Sequence, residues 1–276
     1  MTVVSPDEMR KGLIMARLRE HYNEALEHFP KERIVGIFIQ GSQNYELDYE
    51  GSDIDTKLIV VPSFEDIVLN RKPVSTTHIR ANEEHIDFKD IRLYMETFRK
   101  QNLNFLEILF TPFKIINPMY EAEWERLIEA REFIAHMNEY RAVKSMKGIA
   151  MEKFHAMEHE YPSKVDVLAK YGYDPKQLHH LIRVENYLDR YMNGVAYKDC
   201  LIPEPEMKEY LMSIKRGNYN LEEARVMAKE SIDRVVAAAD KFCESRQDEE
   251  LCWVRNVLED VQANIMKISI KEELAE

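Results

Sequence analysis

Between Ile34 and Pro62 two apolar runs flank a polar loop, and no other stretch of the chain restricts its fold as strongly. The first run, Ile34 to Ile39, is β-branched and aromatic enough to form a buried strand. It ends at Gly41-Ser42, where the backbone can turn sharply. A second strand is expected to open at Asp53. Successive strand side chains point to opposite faces, so Asp53 and Asp55 share one face and Ile54 turns into the core. Two carboxylates aimed at one point repel and raise each other's pKa unless a cation sits between them. Mg²⁺ suits such a place, because it binds through one or two carboxylates plus the phosphates of a substrate. The Gly41-Ser42 turn offers backbone N–H groups and a hydroxyl for phosphate oxygens. An isolated Asp-x-Asp pair would read as a solvated hairpin. The preceding strand and the Gly-Ser turn favour a metal and nucleotide site.

Gly41-Ser42, a loop, and Ser52-Asp53-Ile54-Asp55 at the head of a strand resemble the signature of the DNA polymerase beta nucleotidyltransferase superfamily. The resemblance implies an α+β fold, in which the family's minimal mixed sheet with flanking helices precedes an all-α domain. It also implies two-metal transfer of a nucleotide from a nucleoside triphosphate to an acceptor. The loop departs from the family pattern: Gln43-Asn44-Tyr45-Glu46 stands where a basic residue and a second glycine usually follow Gly-Ser.

The 276 residues are enough for two modest domains with a real core, and a chain that is 45% hydrophobic and 32% charged with only 8 Gly and 10 Pro is globular and helix-rich. A formal charge of -12 disfavours unspecific adsorption to nucleic acid, so an RNA acceptor would need a local basic patch. Cys200, Cys243 and Cys252 form neither a disulfide framework nor a zinc-like spacing, which fits a reducing compartment. Met1 to Glu8 shows no basic and apolar leader, and no apolar run approaches a membrane span. A cytoplasmic protein without membrane contact is expected.

Along the chain, Ser5-Pro6-Asp7-Glu8 has the form of a capping box with proline at the first helical position. The helix it starts is expected to reach about His28, to pack on the sheet through Leu13, Ala16, Leu18 and Tyr22, and to leave Arg10, Lys11, Arg17 and Arg19 in solvent. A short helix after Pro62 and an irregular loop or weak hairpin over 68–82 follow. Glu84 to Lys89 then reads as a third strand, with Ile86 and Phe88 on one face and Asp87 on the other. Paired beside the second strand, Asp87 joins Asp53 and Asp55. Asp90 competes for that role, but it precedes a helical pattern in which an acidic residue is a favoured N-cap.

Asn102-Leu-Asn104-Phe-Leu-Glu107-Ile-Leu-Phe110 narrows the resemblance to a nucleotidyltransferase group associated with RNA-repair ligases. From periodicity alone, Phe105, Leu106, Leu109 and Phe110 are the core face of a helix, with Glu107 in a structural pairing. Strand patterns stop at Pro118, so the expected division is 1–118 and 119–276. Arg141, Lys144 and Lys147 share a helix face and are the best basic patch for an acceptor's phosphates. Asp174-Pro175-Lys176-Gln177 has the form of another helix start. It leads to Lys176, His180 and Arg183 on one stripe, where three cations invite a phosphate or an array of carboxylates. The repair-associated group carries Asp-x-Lys-x-x-x-His-x-x-Arg, which Asp174, Lys176, His180 and Arg183 match, while His179 falls out of register. Ile214-Lys215-Arg216-Gly217 looks like the group's Ile-Lys-x-Gly turn, with glycine as a helix C-cap.

Taken onto these residues, the resemblance implies metal ligands Asp53, Asp55 and Asp87 for Mg²⁺ or Mn²⁺, with Asp87 as general base towards the acceptor hydroxyl. Gly41, Ser42, Lys176, His180 and Arg183 would hold the nucleotide. An RNA end is the first expected acceptor and a protein or small molecule the second. A nucleotide-binding regulator or antitoxin without turnover is the non-enzymatic alternative.

Overall fold

The computed structural model describes residues 5–49 and 52–275. Met1 to Val4, read above for the absence of a leader, and Glu50 and Gly51 of the central loop lie outside them.

The chain is α+β. Five strands, β1 (Ile34–Gln40), β2 (Asp55–Val60), β3 (Ser75–Ile79), β4 (His85–Asp90) and β5 (Lys114–Ile116), form one mixed sheet in the order β3-β4-β2-β1-β5. β2 and β4 are parallel, with Lys57 opposite Asp87, and every other neighbouring pair is antiparallel. The expected weak hairpin before β4 is real: β3 pairs with it along its whole length. β2 starts two residues later than expected, at Asp55, so Asp53 and Ile54 approach the sheet without joining it.

Parity gives the sheet two unlike faces. Ile37, Ile39, Leu58, Val60, Ile86 and Phe88 form an apolar face on which the helix Pro6–Ala25 lies. Its capping box is present, with the Glu8 amide donating to Ser5 Oγ and the Ser5 amide to Glu8 Oε2. The buried stripe is Ile14, Leu18, His21 and Ala25, whereas Leu13 is 65% exposed and Ala16 is also exposed. Of the expected set, Leu18 and Tyr22 do pack on the sheet core, and Ile14, His21 and Ala25 are buried in place of Leu13 and Ala16. His21 is fully buried, and it is polar only where it meets polar partners.

The chain divides into two compact units, but not at Pro118. A sheet unit takes the described residues up to Arg99, Asn104–Met137 and the described residues from Glu250 on, and a helical unit takes Lys100–Leu103 and Asn138–Glu249. The reason is burial: the second sheet face also needs cover. Trp124, 1% exposed on the helix Glu121–Ala135, stacks on Phe38 at 4.5 Å between ring centroids. Removing an aromatic of that size from water is worth about 1.5–3 kcal/mol. The helix Cys252–Glu273 packs on Glu121–Ala135, where Trp253 meets Phe133 at 4.9 Å and Asn264 reaches Glu123. The end of strand patterns marks the end of the sheet, not of what covers it.

In the helical unit the helix Pro175–Met192 packs against Glu139–Ala156, Pro205–Lys215 and Leu221–Glu244. Among the described residues no helix is long and apolar enough to cross a membrane. Gly217 ends Pro205–Lys215 as expected: its φ is 74° and its amide returns to the Ile214 carbonyl at 2.9 Å. A Cβ there would lie 2.3 Å from Tyr171 Cε1. Gly217→Ala therefore combines left-handed strain with overlap on a ring and should destabilise the helical unit by roughly 1–3 kcal/mol. A urea midpoint for loss of helical circular dichroism equal to that of wild type would contradict this.

Candidate active site

On the sheet face opposite the Pro6–Ala25 helix, alternation and the parallel register bring Asp55 and Lys57 of β2 beside His85, Asp87 and Lys89 of β4. Asp55 is half-buried, and its Oδ1 accepts the His85 amide at 3.0 Å with the His85 Nδ1 3.3 Å away. Asp87 Oδ1 accepts the Thr77 hydroxyl at 2.6 Å. Asp53 is exposed just ahead of the strand, and its carbonyl accepts the Gln43 side-chain amide at 2.7 Å. Asp90, the rival of Asp87, is buried on the other face. It accepts the Arg92 amide at 2.9 Å and holds the Arg92 guanidinium in a bidentate pair, which is the cap expected of it.

Lys57 was not anticipated as a site residue. It is 4% exposed, its ammonium bonds to Gln40 Oε1, and its Nζ stands 4.6 Å from the centroid of Phe105, with Lys89 Nζ 4.2 Å from the same ring. Burial pulls its pKa down to about 8, against the upward pull of Asp87 and Asp55 and helped by the charge of Lys89. A lysine leading directly into the apolar run Leu58–Val60, two residues after Asp55, is the signal by which the sequence could have revealed it.

The atypical loop has a structural occupation. Gln43, 5% exposed, pins the Asp53 carbonyl, and Asn44 links the Ile39 carbonyl to the Thr111 hydroxyl. Arg10, expected in solvent, grips Asp48 at 2.5 Å and the Gln43 carbonyl at 3.3 Å. Gly41 adopts φ 87°, and its amide donates to Glu107 Oε1 at 3.2 Å. That is the structural pairing expected of Glu107. The helical run around it is broken into a turn of helix, Leu103–Leu106, and a 3-10 turn, Glu107–Leu109.

Among the described residues no three His, Cys, Asp or Glu side chains converge as a ready cage for a metal ion. Asp53, exposed just ahead of β2, and Asp55, half-buried at its start, present carboxylate oxygens of the kind that Mg²⁺ or Mn²⁺ takes alongside water and substrate phosphates.

In the helical unit, Asp174 caps Pro175–Met192 by accepting the Lys176 amide at 2.9 Å and pairs with Lys164 at 3.3 Å. Lys176 is exposed, His180 half-buried and Arg183 buried along one stripe. Burial, and then the neighbouring His179, Arg183, Lys176 and Lys153, push the His180 pKa well below its ordinary value. Lys153, on Glu139–Ala156, is an addition to the stripe that spacing within one helix could not disclose. The proposed basic face is largely neutralised: Arg141 pairs with Asp248 and Lys147 with Asp240, each at 2.6 Å, and Lys144 donates to the Tyr140 hydroxyl.

No protein family matches the chain, and no curated protein does. Among solved structures, a nucleotidyltransferase-like protein from Exiguobacterium sibiricum is similar with a TM-score of 0.32 and 10% identity, over 83% of this chain and 78% of that one.

His179, out of register with the stripe, is buried with its Nδ1 2.9 Å from the Leu211 carbonyl, and burial lowers its pKa to about 4 against the help of that hydrogen bond. The unfolded chain takes up a proton near the ordinary pKa of 6.5, while the folded one resists until about 4. Stability is therefore lost as pH falls from 6.5 towards 4, by about 3 kcal/mol for this residue. His179→Asn, which keeps an N–H for Leu211, should flatten that acid limb in urea titrations. An equally steep limb would assign the loss elsewhere.

Proposed function

We propose that the chain is a metal-dependent nucleotidyltransferase that moves a nucleoside monophosphate from a nucleoside triphosphate to an acceptor hydroxyl. The observation that carries this is the parallel register of β2 and β4, which sets Asp55 and Asp87 on one face behind the exposed Asp53. Asp53 and Asp55 would hold Mg²⁺ or Mn²⁺, with Asp87 as the third ligand-bearing carboxylate. When bound, the ion supplies positive charge to the attacking and leaving oxygens of an in-line displacement at the α-phosphorus.

The protein's own groups have separable tasks. Asp87, oriented by Thr77, takes the proton of the acceptor hydroxyl as its oxygen bonds to the α-phosphorus. The bond from that phosphorus to the bridging oxygen breaks, and pyrophosphate leaves. Lys57 adds a fixed cation beside Asp87 on the same face. Ser42 holds a phosphate oxygen through its hydroxyl. Gly41 leaves room for a phosphate because it lacks a side chain, but its N–H, expected to hold that phosphate, is given to Glu107. Lys176, His180 and Arg183, with Lys153, form a phosphate-binding stripe on the helical unit, where an anion would recharge His180.

The acceptor is an RNA end on the strength of the motif resemblance. The pairing of Arg141 and Lys147 with aspartates is the observation that favours a protein or small-molecule hydroxyl instead, because it removes the basic face that RNA would need. Labelled nucleoside triphosphates, cell extract and Mg²⁺ or Mn²⁺ separate these readings by the nuclease or protease sensitivity of the labelled product. Asp55→Asn should abolish labelling with the fold intact, and Asp87→Asn should slow it by roughly 10²- to 10⁴-fold. Full activity in a folded Asp55→Asn protein would end the assignment. Nucleotide binding without transfer by the wild type would make the chain a regulator.

A further inference from the structure

The Asp53–Asp55 segment is held from behind by a polar network buried in the apolar side of the sheet unit. β2 begins at Asp55, so the Ile54 amide has no strand partner, and it donates instead to Glu84 Oε1 at 2.9 Å. Glu84 is 3% exposed, and its other oxygen receives Arg17 at 2.5 Å, His21 Nε2 at 2.9 Å, and Arg80 and Asn82 at 3.0 Å each. The fully buried His21 turns its Nδ1 to the Thr56 hydroxyl, 3.0 Å away. One carboxylate thus grips the residue before Asp55 directly and the residue after it through a histidine. The next residue after Glu84, His85, donates its amide to Asp55 itself.

We propose that Glu84 is a positioning residue for the metal-binding carboxylates, clamping Ile54 and, through His21, Thr56, so that Asp55 can project only to the opposite face. Side chains alternate along an extended segment, so fixing the residues on either side of Asp55 fixes its direction. The clamp is strongest when Glu84 is ionised, because all five of its donors then meet a carboxylate. Burial alone would favour a neutral Glu84, but hydrogen bonds from His21, Ile54 and Asn82 and the charge of Arg17 reverse this and keep its pKa at about 2. Burial lowers the His21 pKa against the pull of Glu84, and the geometry suits a ring that donates from Nε2 to the carboxylate and accepts from Thr56 at Nδ1. Arg17, expected in solvent, is part of the same clamp. The metal ligands and the transfer reaction are those of the proposed function, on which this inference rests.

The experiment compares wild type, Glu84→Ala and Glu84→Gln in three measurements: amide hydrogen exchange, binding of Mn²⁺ alone followed by electron paramagnetic resonance, and nucleotidyl transfer. In Glu84→Ala the Ile54 amide should exchange at least about tenfold faster while residues 114–137 and 252–273 keep their protection. Mn²⁺ should bind about 10- to 100-fold more weakly, and kcat should fall more than KM changes. Glu84→Gln, whose side-chain oxygen can still accept the Ile54 amide, should recover part of each loss. If Glu84→Ala does not fold, Glu84→Gln and His21→Gln carry the same comparison. Unchanged Ile54 exchange and Mn²⁺ affinity overturn the clamp, and so does a uniform loss of protection across the sheet unit, which is what a purely structural carboxylate would give. A wild type that binds no Mn²⁺ and transfers no label refutes the transferase reading, while the exchange comparison still decides whether Glu84 holds Ile54.

Discussion

The parallel pairing of β2 with β4 is the constraint from which the candidate site follows, because its register decides which side chains share a face. With Lys57 opposite Asp87, the charged residues of both strands fall on one face, and Leu58, Val60, Ile86 and Phe88 fall on the other. A slip of one residue would carry Asp87 into the apolar side and Phe88 out of it. The cost of burying Phe88 badly therefore guards the position of Asp87. The same register brings the chain just before β4 alongside the approach to β2, which lets Glu84 and His85 reach Ile54 and Asp55.

Ionised groups lie within the protein on both sides of this sheet, and they are tolerated for different reasons. On the apolar side Glu84 is surrounded by donors, and breaking such an arrangement by removing one member costs far more than the arrangement contributes as a whole. On the site side Lys57 is balanced by the carboxylates along its face and by the Phe105 ring, and its lowered pKa records that the balance is incomplete. The first is a rigid fixture. The second is a charge held close to where chemistry would need it.

Much of this was legible in the residues. The two strands around Gly41-Ser42, the carboxylate on β4, the capping box at Ser5 and the glycine that ends Pro205–Lys215 follow from alternation, capping chemistry and the steric freedom of glycine. What escaped depends on contacts remote in sequence. His21 carries no signal of its own in the helix pattern, because its partners Thr56 and Glu84 lie 35 and 63 residues away. Gln43 stands out in the sequence only as a departure from the family pattern, and the structure gives it the task of holding the Asp53 carbonyl. Arg141 and Lys147 looked like a binding face because their aspartate partners lie about a hundred residues downstream.

The helical unit is spliced into the sheet unit between Met137 and Glu250, and this has a consequence for how the protein is made. A ribosome delivers all five strands and then the whole of 138–249 before it delivers Cys252–Glu273, the helix that packs on Glu121–Ala135. The helical unit has its complete sequence available first, while the nascent sheet unit waits with the partner surface of that last helix uncovered. During synthesis the helix Glu121–Ala135 thus waits for a packing partner that is delivered only after the whole of 138–249.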